Sequence, residues 1–99
     1  MKTGIVQDPI YMEHIRGVPH VESPQRLEVL YQMLEDHFSG RLTTVQARPA
    51  HLEELAYIHT PDHIKKIAST SGKSFVSLDP DTQTSAKSYE AARMAAGGC

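Results

Sequence analysis

A single cysteine, Cys99, is present in the 99-residue sequence, so no internal disulfide can form and a zinc site built on thiolates lacks ligands. That scarcity fits a reducing compartment. No apolar run approaches the roughly 18 residues needed to cross a bilayer. The opening MKTGIVQDP has neither the apolar stretch nor the small-residue cleavage site of a secretory signal, and Met1 reads as a genuine start. The expectation is a cytoplasmic protein without a membrane partner. Charge bias is also missing: Lys and Arg number 10 against 12 Asp and Glu, for a net charge of -2, and they are scattered from Lys2 to Arg93. Without a basic stripe or a basic helix face, direct binding of nucleic acid or anionic membrane is not expected. Dinucleotide, phosphate-loop, nucleophile-elbow and CxxC motifs are absent, as are internal repeats.

What is there is ordinary soluble-protein material, 39% hydrophobic and 22% charged. Thr3 to Val6 reads as a strand closed by Asp8-Pro9, followed by a long loop from Ile10 to Ser23. Ser23-Pro24 opens a helix, with serine as the capping hydroxyl and proline where no backbone N–H is needed. Leu27, Leu30, Tyr31, Leu34 and Phe38 recur at helical spacing, and Ser39-Gly40 closes the helix. Leu42 to Val45 predicts a second strand, and Ala50 to Ile58 a short helix. Thr60-Pro61-Asp62 repeats the capping logic for a helix that turns Ile64, Ile67 and Ala68 inward. After a brief extended stretch from Phe75 to Leu78, an alanine-rich helix is expected over Thr82 to Ala96, where small side chains let another backbone approach closely. Strands alternating with helices indicate an α/β protein, but the strands are too few to close a sheet. The reading is an incomplete domain.

Two groups of residues invite chemistry. His14, His20 and Glu22 carry metal-ligating atoms, although His20-Val-Glu22 supplies only two groups and its loop fixes no third. The alternative is a loop-ordering network of His20, Glu22 and Arg26. Arg26 stands out because a cation in the first turn of a helix opposes the helix dipole. His59 is expected to be partly buried at a helix entrance, and His37, His51 and His63 at the surface. Asp79 and Asp81 flank Pro80 before the alanine-rich helix; either could cap that helix, and Asp81 could instead accept a hydrogen bond from a substrate amide.

Taken together and in order, GIVQDPIYMEHIRGVPHVESPQRLEVL, ARPAHLEELAYIHTPDHIKKI and LDPDTQTSAKSYEAARMAAGG resemble the opening third of the histone deacetylase family of zinc-dependent amidohydrolases. The likeness is to class II and acetylpolyamine-amidohydrolase-like members. It implies an arginase/deacetylase-like α/β fold, a parallel sheet flanked by helices, of which residues 1–99 would form the amino-terminal portion of a single domain. It also implies hydrolysis of N-acetyl groups from acetyl-lysine or acetylpolyamines. The family's zinc ligands, histidine pair and tyrosine have no counterpart here and would lie beyond Gly98, so zinc is expected in the full-length parent and no metal ligand or catalytic residue in this chain. By the same resemblance Asp81, in LDPDT, matches the loop carboxylate that holds substrate at the pocket rim, with Asp79 as the second candidate. Arg26, in PQR, matches the arginine beside an internal channel below the active site, and His20 and Glu22 would support it. The alternative is a truncated, non-catalytic pseudoenzyme or a helical protein-binding module.

Overall fold

The computed structural model describes residues 2–17 and 19–99; Met1, and Val18 within the expected loop, lie outside the described residues. Strand β1 (Thr3–Ile5) pairs in parallel with β2 (Leu42–Thr44), Thr3 opposite Leu42 and Ile5 opposite Thr44. A parallel pair needs a crossover, and α1 (Pro24–Phe38) supplies it. Pro24 occupies the first turn as expected, but the Ser23 side chain makes no capping bond; its carbonyl instead accepts from Arg26 N–H at 3.2 Å. Gly40 follows the helix at φ 85°, the left-handed conformation that glycine tolerates.

The stretch expected to be all loop begins with a 3-10 helix (Pro9–Glu13). Asp8 Oδ1 accepts from Ile10 N–H at 2.9 Å, so Asp8-Pro9 starts a helix as well as ending a strand. Beyond it, Ile15 is 3% exposed and sits at φ 43°. A β-branched residue is rarely found there, and its burial holds it in place.

Helix α2 (Leu52–Leu55) is shorter than expected at both ends: residues 56–58 form a turn, and Ala50 pairs with the last helix, its N–H donating to the Arg93 carbonyl at 2.9 Å. At α3 (Pro61–Ala68) the Thr60 hydroxyl accepts from His63 N–H at 3.2 Å, as the capping pattern predicts. The largest departure follows. Thr82 does not begin a helix; β3 (Val76–Asp79) and β4 (Thr82–Thr84) form an antiparallel hairpin with a register shift between Ser77 and Asp79. Helix α4 (Ser88–Gly98) starts later and packs mainly on the 3-10 helix, where Tyr11 Oη donates to the Met94 carbonyl at 3.1 Å.

The core is slight. Among the described residues the buried apolar side chains are Ile15, Ala47, Ala50 and Ala91, and no large side chain is fully buried. The apolar stripe of α1 stays half-covered, with Leu30 and Phe38 exposed. The radius of gyration is 15.0 Å, against about 13 Å for a compact domain of this length. The molecule is an α/β slab 42 × 33 × 19 Å, with apolar faces left open.

Candidate functional site

The turn between β3 and β4 is Asp79-Pro80-Asp81, and the two carboxylates on it do different things. Asp79 Oδ1 accepts from Asp81 N–H at 2.9 Å. That bond, with help from the Thr82 hydroxyl, holds the Asp79 carboxyl below its ordinary range by stabilising the ionised form. Ser77 Oγ donates to the Asp79 carbonyl at 3.0 Å and Gln83 Nε2 to the Pro80 carbonyl at 3.0 Å, so the turn is tied from both strands. The Asp81 carboxylate is exposed and has no hydrogen-bond partner among the described residues. Neither aspartate caps α4, which the hairpin separates from them. Its start is organised by Ser88 Oγ, which accepts from Ser85 N–H at 2.8 Å.

His20 reaches this turn from the other end of the chain. Its Nδ1 accepts from Glu22 N–H at 3.0 Å, and its Nε2 lies 3.1 Å from the Asp81 carbonyl oxygen. His14, His20, Glu22, Asp81, Thr82 and Gln83 line one crevice of about 180 Å³. The expected network of His20, Glu22 and Arg26 is therefore replaced: His20 serves the Asp81 turn, and Glu22 faces His14 Nε2 at 3.6 Å. Arg26 is exposed and borders a separate cleft of about 40 Å³ with Tyr11, Glu22 and Leu27. Among the described residues its guanidinium bonds to neither His20 nor Glu22.

A second junction escaped the sequence reading. His14 Nδ1 lies 2.7 Å from Ser88 Oγ, and Ser85 Oγ donates to the Glu13 carbonyl at 3.1 Å, so the end of the 3-10 helix is stapled to the start of α4. Ser88 Oγ thus joins three groups, accepting from Ser85 N–H while lying within hydrogen-bond reach of His14 Nδ1 and, at 3.4 Å, of Ser85 Oγ. The pair is separated by 74 positions and left no local signal. As for metal, no three His, Cys, Asp or Glu side chains among the described residues converge to hold an ion, and both ring nitrogens of His20 are engaged. His37, His51 and His63 are exposed as expected, but so is His59, whose ring lies 4.9 Å from that of His63.

Residues 20–99 match the family model described as Histone deacetylase domain. Histone deacetylase 15 of Arabidopsis thaliana is 33% identical over 87 residues, covering 86% of this chain and 16% of that protein. A protein of Archaeoglobus fulgidus named "Probable deacetylase" is 29% identical over 101 residues, covering 99% of this chain and 28% of the other. The crystal structure of the HDA15 HD domain superposes with a TM-score of 0.88 at 30% identity, over 100% of this chain and 30% of that one. The chain thus spans less than a third of each of these relatives.

Proposed function

Because the chain belongs to the histone deacetylase family, we propose that residues 1–99 are the amino-terminal portion of a single zinc-dependent deacetylase domain that removes N-acetyl groups from acetyl-lysine or acetylpolyamines in the cytoplasm. The α/β arrangement is an incomplete part of the deacetylase fold. In this reading the chain furnishes the rim of the substrate pocket, through Asp81, and part of the wall of an internal channel, through Arg26 with Glu22 near it. In this reading these residues hold substrate and line the channel, and the remainder of the domain supplies the zinc ligands.

The observation that carries the reading is the division of labour on the hairpin turn. Asp79 spends its carboxylate on the turn's own N–H, while the carboxylate of Asp81, which helps line a crevice, has no partner among the described residues. A carboxylate left free to accept is suited to a substrate amide N–H, since hydrogen bonds to carboxylates are stronger than neutral ones. Asp79 thus drops from second candidate holder to turn-former.

The test is kinetic, in the deacetylase carrying this chain. Asp81→Ala should lower kcat/KM for an acetyl-lysine peptide about ten- to hundredfold, as expected for loss of a bond to a charged group. Asp79→Ala should cost less. Unchanged kinetics for Asp81→Ala would remove the rim role.

A further inference from the structure

We infer that His20 is a positioning residue for Asp81, holding the backbone of the substrate-facing turn so that its carboxylate is pre-set for substrate. The inference rests on the rim role proposed for Asp81 and adds to it a residue from a segment 61 positions away.

The proton inventory decides the arrangement. Glu22 N–H can only donate, so His20 Nδ1 must accept and carries no hydrogen. A neutral imidazole then has its proton on Nε2, and Nε2–H can only donate to the Asp81 carbonyl. The two contacts of the ring thus require one tautomer and support each other. At Asp81 the result is a clamp. Its N–H is bound by Asp79 Oδ1 at 2.9 Å and its C=O by His20 at 3.1 Å, so both polar groups of its backbone are tied while its carboxylate is left over. One tie comes from within the turn and one from the loop leading into α1, so the two segments that line the crevice are locked to each other.

The bonds within the hairpin, from Asp79, Ser77 and Gln83, leave the Asp81 carbonyl untied, and without His20 that peptide would keep conformational freedom that substrate binding must remove. Fixing it beforehand shifts that cost to folding. His20 acts without touching substrate.

Kinetics of the complete deacetylase test this with two substrates: an acetyl-lysine peptide, which offers a backbone amide to Asp81, and an N-acetylated alkylamine, which does not. The ratio of kcat/KM for peptide over amine should fall roughly three- to tenfold in His20→Leu, mainly through KM, the size expected for one hydrogen bond. His20→Gln, which keeps an N–H donor, should recover most of the ratio. In an Asp81→Ala background His20→Leu should lower the ratio no further, because the two act through one carboxylate. Should His20→Leu fail to fold, His20→Gln is compared with His20→Asn, too short to reach the carbonyl. A ratio unmoved by His20→Leu, equal losses on both substrates, or additive effects with Asp81→Ala would overturn the inference alone. No change in ratio for Asp81→Ala itself would overturn the rim role and this inference with it.

Discussion

Among single residues, the strongest electrostatic statement in the molecule is Glu54. Its carboxylate takes two bonds from Arg48, at 2.7 and 2.8 Å, and a third from His51 N–H at 2.9 Å, reaching back over the first turn of α2. These donors, Arg48 foremost, hold its pKa at about 2. A depressed folded pKa means the contribution to stability is complete above the unfolded value near 4.5 and is lost as pH falls from there through about 2. A carbon-13 titration of the Glu54 carboxyl should therefore have its midpoint near 2, and Arg48→Met should return it toward the ordinary range; a wild-type midpoint near 4 would deny the fork geometry. Since the pair is partly exposed, added salt should raise the midpoint. The same scale shows what could be read early. The resemblance in LDPDT favours Asp81 over Asp79, but which carboxylate bonds its own backbone depends on the hairpin, which no motif in the sequence marks. The long-range partners of His20 and His14, Asp81 and Ser88, lie 61 and 74 positions away, where spacing carries no information.

Two elements with proline-marked starts are legible, α1 and α3 at Pro24 and Pro61, where a missing N–H costs nothing, whereas Pro9 reads as the end of a strand and not as the start of the 3-10 helix. The β3–β4 hairpin is not, because its turn lacks the Asn-Gly or Asp-Gly pair that announces one, and aspartates ahead of alanine-rich sequence suggest helix caps. Helix α4 shows why its small residues are needed. The expectation that they admit another backbone is met at its end, against the segment 48–50. A Cβ on Gly97 would overlap the Arg48 carbonyl oxygen and stand 2.7 Å from the Ala50 nitrogen. Backbone cannot step aside as a side-chain tip can. Arg93 locks the same junction, donating to the Ala50 carbonyl from Nε at 3.1 Å and from a terminal nitrogen at 2.7 Å while its own carbonyl accepts from Ala50 N–H. Gly97→Ala must pry these apart, and should destabilise the domain that carries this chain by about 2–3 kcal/mol in urea unfolding, as overpacking does. A loss below about 0.5 kcal/mol would mean that the end of α4 is not held against this segment.

For the whole molecule, the apolar surface separates the two functional readings. Periodicity located the apolar faces on α1 and α3 correctly, yet could not say what covers them, because covering is a property of other elements. Here the α1 face stays partly open at Leu30 and Phe38, the α3 face is only half-buried, and apolar side chains elsewhere are uncovered: Tyr57 is 79% exposed and Ile58 84%, Val29, Leu52 and Phe75 are more than half exposed, and cavities of about 320 and 240 Å³ lie between α3 and α4. A core of one isoleucine and three alanines offers little hydrophobic stabilisation against the entropy of ordering 99 residues. If these faces belong inside a larger deacetylase domain, the 99-residue chain made alone should bind a hydrophobic dye such as ANS, show no sharp thermal transition and self-associate as concentration rises. If they are instead the docking surface of a non-catalytic binding module, the same chain should be monomeric and unfold cooperatively. Calorimetry and sedimentation at several concentrations distinguish the two. A monomer with a sharp heat-absorption peak would overturn the incomplete-domain reading; dye binding with no peak is the expected result, since neither the two-stranded parallel sheet nor the hairpin is large enough to stand without further layers.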